Sequence, residues 1–199
     1  MQQVLIIHGG NTFDSKKEFH DYLKNAQIDK ERLLIKPDWK QTIATDLGAN
    51  YEVLQPRMPN GTDADYEEWK MYFEAVAKIL DNQVILIGHS LGGVFLAKYL
   101  SENKASFTIK SLILLAAPFK GTEQESIGNF KLKNDFTKLT YQVSDIHILH
   151  SHDDPVVAVE DARLYKKHLP NTQLTLLNNK AHLNTETFPE LIATIQKLK

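Results

Sequence analysis

The residues best suited to chemistry centre on Ser90, in the pattern Gly88-His89-Ser90-Leu91-Gly92. An apolar run at 83–87 precedes the pattern and a helix-compatible run at 93–100 follows it. A serine flanked in this way at a sharp turn from a buried strand into a helix is typical of a nucleophile elbow, which pushes the hydroxyl out above the sheet. The flanking glycines leave room for the strand and helix to cross. The alternative is an ordinary serine in a tight glycine turn.

A serine hydroxyl is a weak nucleophile at neutral pH, so it needs a base, and imidazole is the usual choice. The imidazole in turn needs a carboxylate that fixes its tautomer. His182 follows the last predicted strand at 173–177, and Asp153 and Asp154 follow the predicted strand at 145–150. Reactive groups collect at the carboxyl ends of parallel strands, and the order serine, acid, histidine fits an elbow-type nucleophile.

Each of these assignments has a plainer alternative. His182 could be a surface loop histidine, and an aspartate could cap the next helix. The interval 155–157 before that helix makes capping a weaker explanation for Asp154. His150, His152 and the two aspartates could instead bind a metal, although the role of acid already accounts for the cluster.

Acyl transfer also needs two backbone N–H groups that stabilise the developing oxyanion. The N–H of Leu91, directly after the serine, is the first candidate, since the residue after the nucleophile usually serves. The second should come from the glycine loop after the first strand, and Gly10 is preferred, with Asn11 as the alternative. A simple turn at Gly9-Gly10 would also explain that loop. His8 and His89 flank the site, and we assign them to packing or support.

The elements that position these residues alternate between strand and helix about six times. Continuous apolar strands indicate a sheet covered on both faces, and alternation with helices indicates parallel strands with right-handed crossovers. The sequence therefore predicts an α/β fold with a mostly parallel sheet of about six strands and helices on both faces. The strands are predicted at 4–7, 51–56, 83–87, 111–116, 145–150 and 173–177, and helix starts at the pairs Ser15/Glu18, Thr62/Asp65 and Thr187/Glu190.

Composition limits the class of protein. The chain has 199 residues, of which 42% are hydrophobic and 24% charged, with a net charge of −2 and no cysteine. These values predict one globular domain over 1–199 with no attraction to nucleic acid, no disulfide and no thiolate metal site. The N-terminus lacks the pattern of a signal peptide, and no stretch reaches the roughly 20 apolar residues of a membrane span. We expect a cytoplasmic protein.

The chain resembles the α/β-hydrolase superfamily, and more narrowly the small serine hydrolases related to retinoblastoma-binding protein 9. The resemblance covers nearly the whole chain and rests on the elbow at 88–93 and the blocks at 153–155 and 181–186. In that family the catalytic acid is the aspartate directly before the proline, which selects Asp154, and the histidine falls on His182. The resemblance also implies a minimal form of the fold, without the first two antiparallel strands of larger relatives.

The sequence-based hypothesis is therefore a serine hydrolase that cleaves a carboxylic ester, or a related acyl bond, of a small-molecule substrate. No cofactor and no metal are expected, and no protein partner is indicated. Two alternatives stay open: a protein-binding member of the fold with little turnover, and an amidase or peptidase with the same residues. The stretch 121–142 is expected to form a small cap in which Phe130 and Phe136 line an acyl pocket. Tyr66, Trp69 and Phe73 are expected in the core.

Overall fold

The computed structural model describes residues 1–121 and 126–198. Its centre is a sheet of six strands, all parallel, in the order β2-β1-β3-β4-β5-β6. The strands are β1 (Gln2–Ile7), β2 (Tyr51–Leu54), β3 (Val84–His89), β4 (Ile109–Leu115), β5 (Ile146–Ser151) and β6 (Gln173–Leu177). The parallel α/β sheet predicted from the sequence is confirmed.

Eight helices lie between and after these strands in the described residues. They are α1 (Lys16–Lys24), α2 (Lys30–Leu33), α3 (Trp39–Leu47), α4 (Tyr66–Ala77), α5 (Leu91–Glu102), α6 (Thr137–Gln142), α7 (Val159–His168) and α8 (Pro189–Lys197). A short 3₁₀ turn lies at Gly128–Phe130. No helix in the described ranges is both long enough and apolar enough to cross a membrane.

Alternation along the strands divides the core into two apolar layers, because successive side chains point to opposite faces of a sheet. Leu5 and Ile7 of β1 pack with α4, α5 and α7 on one face. Val4 and Ile6 pack with α3 and α8 on the other. Both faces of the central strands are buried, which explains why these strands are continuously apolar.

Two predicted helix starts are wrong by one to three residues. Helix α4 is capped by Asp65, whose side chain accepts hydrogen bonds from the N–H groups of Glu67 and Glu68. Thr62 is therefore not the cap. Helix α8 begins after Phe188 with Pro189 in its first turn, so Thr187 is not the cap either. At α1 the prediction is confirmed, since Ser15 Oγ accepts from the N–H of Glu18.

The stretch 121–142 contributes several buried side chains to the core in its described residues, 121 and 126–142. Phe130 is fully buried and contacts the rings of Tyr66, Trp69 and Phe95. Phe136 packs against other aromatic rings away from Ser90. The expectation that these two phenylalanines line an acyl pocket is therefore wrong, because helical packing onto α5 draws them inward. Residues 122–125 of the proposed cap lie outside the described residues.

Close packing at the elbow makes a strong prediction about stability. A Cβ on Gly92 would overlap the carbonyl oxygens of Ile7 and His8, which are backbone atoms that cannot turn aside. We expect Gly92→Ala to lower the free energy of unfolding by about 3 kcal/mol or more. Gly61→Ala is the control, because a Cβ there would approach no closer than 3.4 Å to a side-chain atom. Equal urea midpoints for the two variants would contradict the packing argument.

Candidate active site

Ser90 occupies the strained turn between β3 and α5. Its backbone angles are φ 54° and ψ −124°, a conformation that is rare for a residue with a side chain. The turn is held by its N–H, which donates to the Leu115 carbonyl of the neighbouring strand at 2.8 Å, and by its carbonyl, which accepts from the N–H of Gly93 at 2.9 Å. Strain of this kind persists only where surrounding contacts fix it, and it concentrates at functional sites.

A histidine and an aspartate meet beside this turn, as the sequence predicts. His182 Nδ1 donates to the Asp154 carboxylate, at 2.8 Å from Oδ2 and 3.0 Å from Oδ1. The N–H groups of Val156 and Val157 donate to Oδ1 of the same carboxylate, at 2.8 and 3.0 Å. The Asp154 side chain is fully buried. With Nδ1 on the acid, Nε2 of His182 is the ring nitrogen left for proton transfer.

Asp153, the alternative acid, has different partners. Its side chain accepts from Ser151 Oγ at 2.5 Å and from the N–H groups of Lys180 and Ala181, both at 3.3 Å. The residue is exposed. Its role in the structure is thus to tie the loop after β6 to the loop after β5, and the contact with His182 belongs to Asp154.

Ser90 and His182 line one cleft of about 510 Å³. Its walls are formed by the loop after β1, the start of α3, the elbow and the loops after β5 and β6. The lining residues are His8, Gly9, Gly10, Asn11, Lys40, His89, Ser90, Val156, His182 and Asn184. Among the described residues, no hydrogen bond joins Ser90 Oγ to His182. Catalytic hydrogen bonds are often long in the absence of substrate and tighten when it binds.

The loop after β1 packs closely against Ser90. A Cβ on Gly9 would lie 2.9 Å from Ser90 Cβ, so a glycine is needed there. The Asn11 N–H donates to the Gly61 carbonyl at 2.9 Å, which makes this group unsuitable as an oxyanion donor. The N–H groups of Gly10 and Leu91 donate to no acceptor in the ranges that the structure describes. Both remain candidates for the oxyanion hole.

Comparison with known families decides the class of this protein. Residues 36–195 match a family described as serine hydrolase, which is most of the chain. The chain belongs to the serine hydrolase family. Comparison of the sequence with curated proteins finds no match.

Solved structures share the fold of this serine hydrolase at low sequence identity. The ydeN gene product of B. subtilis is 16% identical, with a TM-score of 0.73 over 100% of this chain and 98% of the other. A structure reported with carboxylesterases of Nitrososphaera gargenis is 13% identical, with a TM-score of 0.60 over 98% and 88% of the two chains. The thioesterase domain of the curacin biosynthetic pathway is 14% identical, with a TM-score of 0.64 over 98% and 91%. At such identities the likeness shows the α/β-hydrolase fold.

The surroundings of the Asp154 carboxyl favour its ionised form. Burial of the Asp154 carboxyl raises its pKa, but the hydrogen bond and charge of His182 and the N–H groups of Val156 and Val157 outweigh burial and hold that pKa below its ordinary value. Asp154 therefore stays ionised at neutral pH.

Two further histidines support the loops around the site. His8 Nε2 accepts from the Met58 N–H at 2.8 Å, so its Nδ1 carries the proton and donates to the Gly9 carbonyl at 2.5 Å. That bond fixes the peptide plane, and hence the direction of the Gly10 N–H, because a trans peptide places C=O and N–H on opposite sides. His150 is fully buried, and its Nε2 donates to the Val157 carbonyl at 2.8 Å. The same nitrogen lies 3.5 Å from Asp154 Oδ2.

The cluster of histidines and aspartates at 150–154 is not arranged around one point. His150 and the two aspartates have the separate partners given above, and His152 is exposed. Burial lowers the pKa of His150, so its imidazole is neutral at physiological pH. Within residues 1–121 and 126–198, no group of three or more His, Asp or Glu side chains is placed to hold a metal ion.

Sequence reasoning missed the contribution of α3 to the site. Lys40 lines the cleft, and its Nζ contacts both oxygens of Asp38 and lies 3.0 Å from Asn184 Oδ1. The residues from 28 to 50 carry no chemical motif, so nothing in their sequence indicates a place beside Ser90. Contacts between Lys40 and residue 184 cannot be read from a pattern, because they join positions far apart in the chain.

Proposed function

We propose that this serine hydrolase cleaves a carboxylic ester, or a related acyl bond, through an acyl-enzyme on Ser90. The observation that carries the proposal is the His182–Asp154 hydrogen bond beside the strained elbow, in one cleft with Ser90. The carboxylesterase, esterase and thioesterase among the structural neighbours agree with it.

In the proposed reaction, His182 Nε2 accepts the proton of Ser90 as Oγ attacks the carbonyl carbon of the substrate. The negative charge that develops on the carbonyl oxygen is stabilised by the N–H groups of Gly10 and Leu91. His182 then gives the proton to the departing alcohol, and Ser90 keeps the acyl group. His182 then takes a proton from a water molecule, which attacks the acyl-enzyme, and gives that proton to Ser90 Oγ as the carboxylic acid product is released. No step requires a cofactor.

The lining of the cleft favours a small acyl group. Around Ser90 the walls consist of glycines, histidines, asparagines and Lys40, and Val156 is the apolar side chain among the described lining residues. Such a cleft offers little apolar surface to a long acyl chain. We therefore propose short-chain esters as substrates. The cytoplasmic location predicted from the sequence stays a prediction.

The first experiment is labelling by a fluorophosphonate probe, which reacts with an activated serine. We expect the wild type to be labelled and Ser90→Ala to remain unlabelled, because Ser90 Oγ would form the covalent bond. Ser101→Ala is a matched control, since that hydroxyl donates to the Ala97 carbonyl within α5, away from the cleft. A folded wild type that does not react would favour the alternative of a binding protein with little turnover.

A further inference from the structure

The loop that carries His182, residues 178–186, spans a long distance, and Ser151 and Asp153 bind it only at 180 and 181 among these positions. It leaves β6, which lies at the edge of the sheet, and returns to Ser90 at the end of β3, past the ends of β5 and β4. Asn179, Ala181 and Leu183 in this loop have φ of 57°, 44° and 56°, values that side chains rarely adopt. A loop of this kind keeps one conformation only if outside contacts fix it.

The backbone from 182 onward is supported by contacts from two other elements. Four consecutive residues, 182–185, each accept a hydrogen bond from the end of β3 or from the first turn of α3. The bonds are His89 Nε2 to the His182 carbonyl at 2.8 Å, Trp39 Nε1 to the Leu183 carbonyl at 2.8 Å, Lys40 Nζ to Asn184 Oδ1 at 3.0 Å, and the Trp39 N–H to the Thr185 carbonyl at 3.0 Å.

Two of these donor side chains, Trp39 and His89, are buried, which fixes where their N–H groups point. The Trp39 side chain is 1% exposed and its ring packs edge-on against His89 and Phe188. Burial, with the nearby cation of Lys40, holds the pKa of His89 well below its ordinary value. His89 is therefore a neutral imidazole, and its single N–H is committed to the His182 carbonyl.

We propose that Trp39 and His89 are positioning residues for His182, an inference that rests on the proposed role of His182 as the base. They fix the backbone at 182 and 183, so that Nδ1 stays on Asp154 and Nε2 stays directed at Ser90. Neither residue takes part in proton transfer. Their effect is on the orientation of the base, and small errors of orientation cost a large part of the rate.

The test compares variants that remove a donor with variants that keep one. Trp39→Phe removes the indole N–H and keeps an aromatic ring, and His89→Leu removes the imidazole N–H. His89→Gln keeps an N–H donor at a similar reach, so it should restore function. Tyr165→Phe is the matched control, because it removes a buried side-chain hydrogen bond to a carbonyl, from Tyr165 Oη to Pro118 at 2.9 Å, away from the loop at 178–186.

Two measurements are made on each folded variant. The first is the rate constant of fluorophosphonate labelling between pH 5 and 9. The second is the downfield proton NMR signal of His182 Nδ1–H, assigned by its loss in His182→Ala. We expect Trp39→Phe and His89→Leu to slow labelling about 10- to 100-fold at every pH and to broaden or shift the signal. His89→Gln should stay within about threefold of wild type, as should Tyr165→Phe.

Labelling of Trp39→Phe and His89→Leu at the wild-type rate would overturn the proposal. So would an equal slowing in Tyr165→Phe, which would mean that lost stability alone explains the effect. If the wild type itself is not labelled, the proposed function fails, and the NMR signal still decides the positioning role. In that case a signal unchanged by Trp39→Phe and His89→Leu would overturn it, and a signal lost in both would support it.

Discussion

Replacing His182 with alanine is expected to lower kcat for hydrolysis of p-nitrophenyl acetate by about 10⁴- to 10⁶-fold. Without the imidazole, the Ser90 hydroxyl must attack as a neutral alcohol, and no base activates water for hydrolysis of the acyl-enzyme. KM should change little, because the imidazole acts on the transition state. Stopped-flow or steady-state absorbance of nitrophenolate measures both constants.

The control for this prediction is His152→Ala. His152 lies on the loop after β5 and is exposed, and neither its position nor its side chain brings it into the Ser90 cleft. Its removal should leave kcat within about twofold, as for most surface substitutions. The double variant Ser90→Ala/His182→Ala should be no worse than either single variant, because residues that act as a unit give non-additive losses. Additive losses would contradict a shared mechanism.

The second large effect is expected at the acid. Asp154→Asn should reduce kcat by about 10⁴-fold, since an amide cannot hold the tautomer of His182 or stabilise its positive charge. The kcat of Asp153→Asn should stay within about tenfold of the wild-type value, because this substitution removes only one or two hydrogen bonds between loops. The same assay applied to both variants separates the two aspartates, which are adjacent in sequence. A larger loss at Asp153 would move the acid by one residue and leave the rest of the proposal in place.

The pH dependence of stability tests the lowered pKa of Asp154. Its pKa is lowered in the folded protein, so the folded state binds fewer protons than the unfolded chain between the two pKa values. The stabilisation is therefore present above the ordinary pKa and is lost as pH falls through the folded pKa. We expect urea unfolding between pH 3 and 7 to show a smaller change in stability for Asp154→Asn than for the wild type.

Much of the site was predicted from the sequence because its signals are local. The elbow is a pattern of five neighbouring residues, and its glycines are required by contacts that any strand–turn–helix of this kind makes. Parallel strands then place the residues after β5 and β6 at the same edge of the sheet as Ser90. Local spacing could not choose between Asp153 and Asp154. The family resemblance selected Asp154, and the structure joins that carboxylate to His182.

Sequence reasoning failed where packing between distant segments decides the result. Phe130 and Phe136 looked available for an acyl pocket because their stretch has a weak pattern, yet they are buried against helices and aromatic rings. Thr62 and Asp65 fit a capping box, yet the helix begins three residues later, since Asp65 itself can cap it. Both errors arise because an apolar or capping residue has several local uses, and tertiary contacts select one.

By itself the sequence determined the parallel α/β sheet, the tight turn at Ser90 and the order of Ser90, Asp154 and His182 after their strands, since each depends on periodicity or on neighbouring residues. Only the tertiary structure decided that α3 supports the loop of His182. Trp39 and Leu183 are joined by a hydrogen bond across 144 positions of the chain, and no pattern within either segment encodes that pairing. Such contacts form only when the apolar layer that contains Trp39 and Leu183 closes on one face of the sheet.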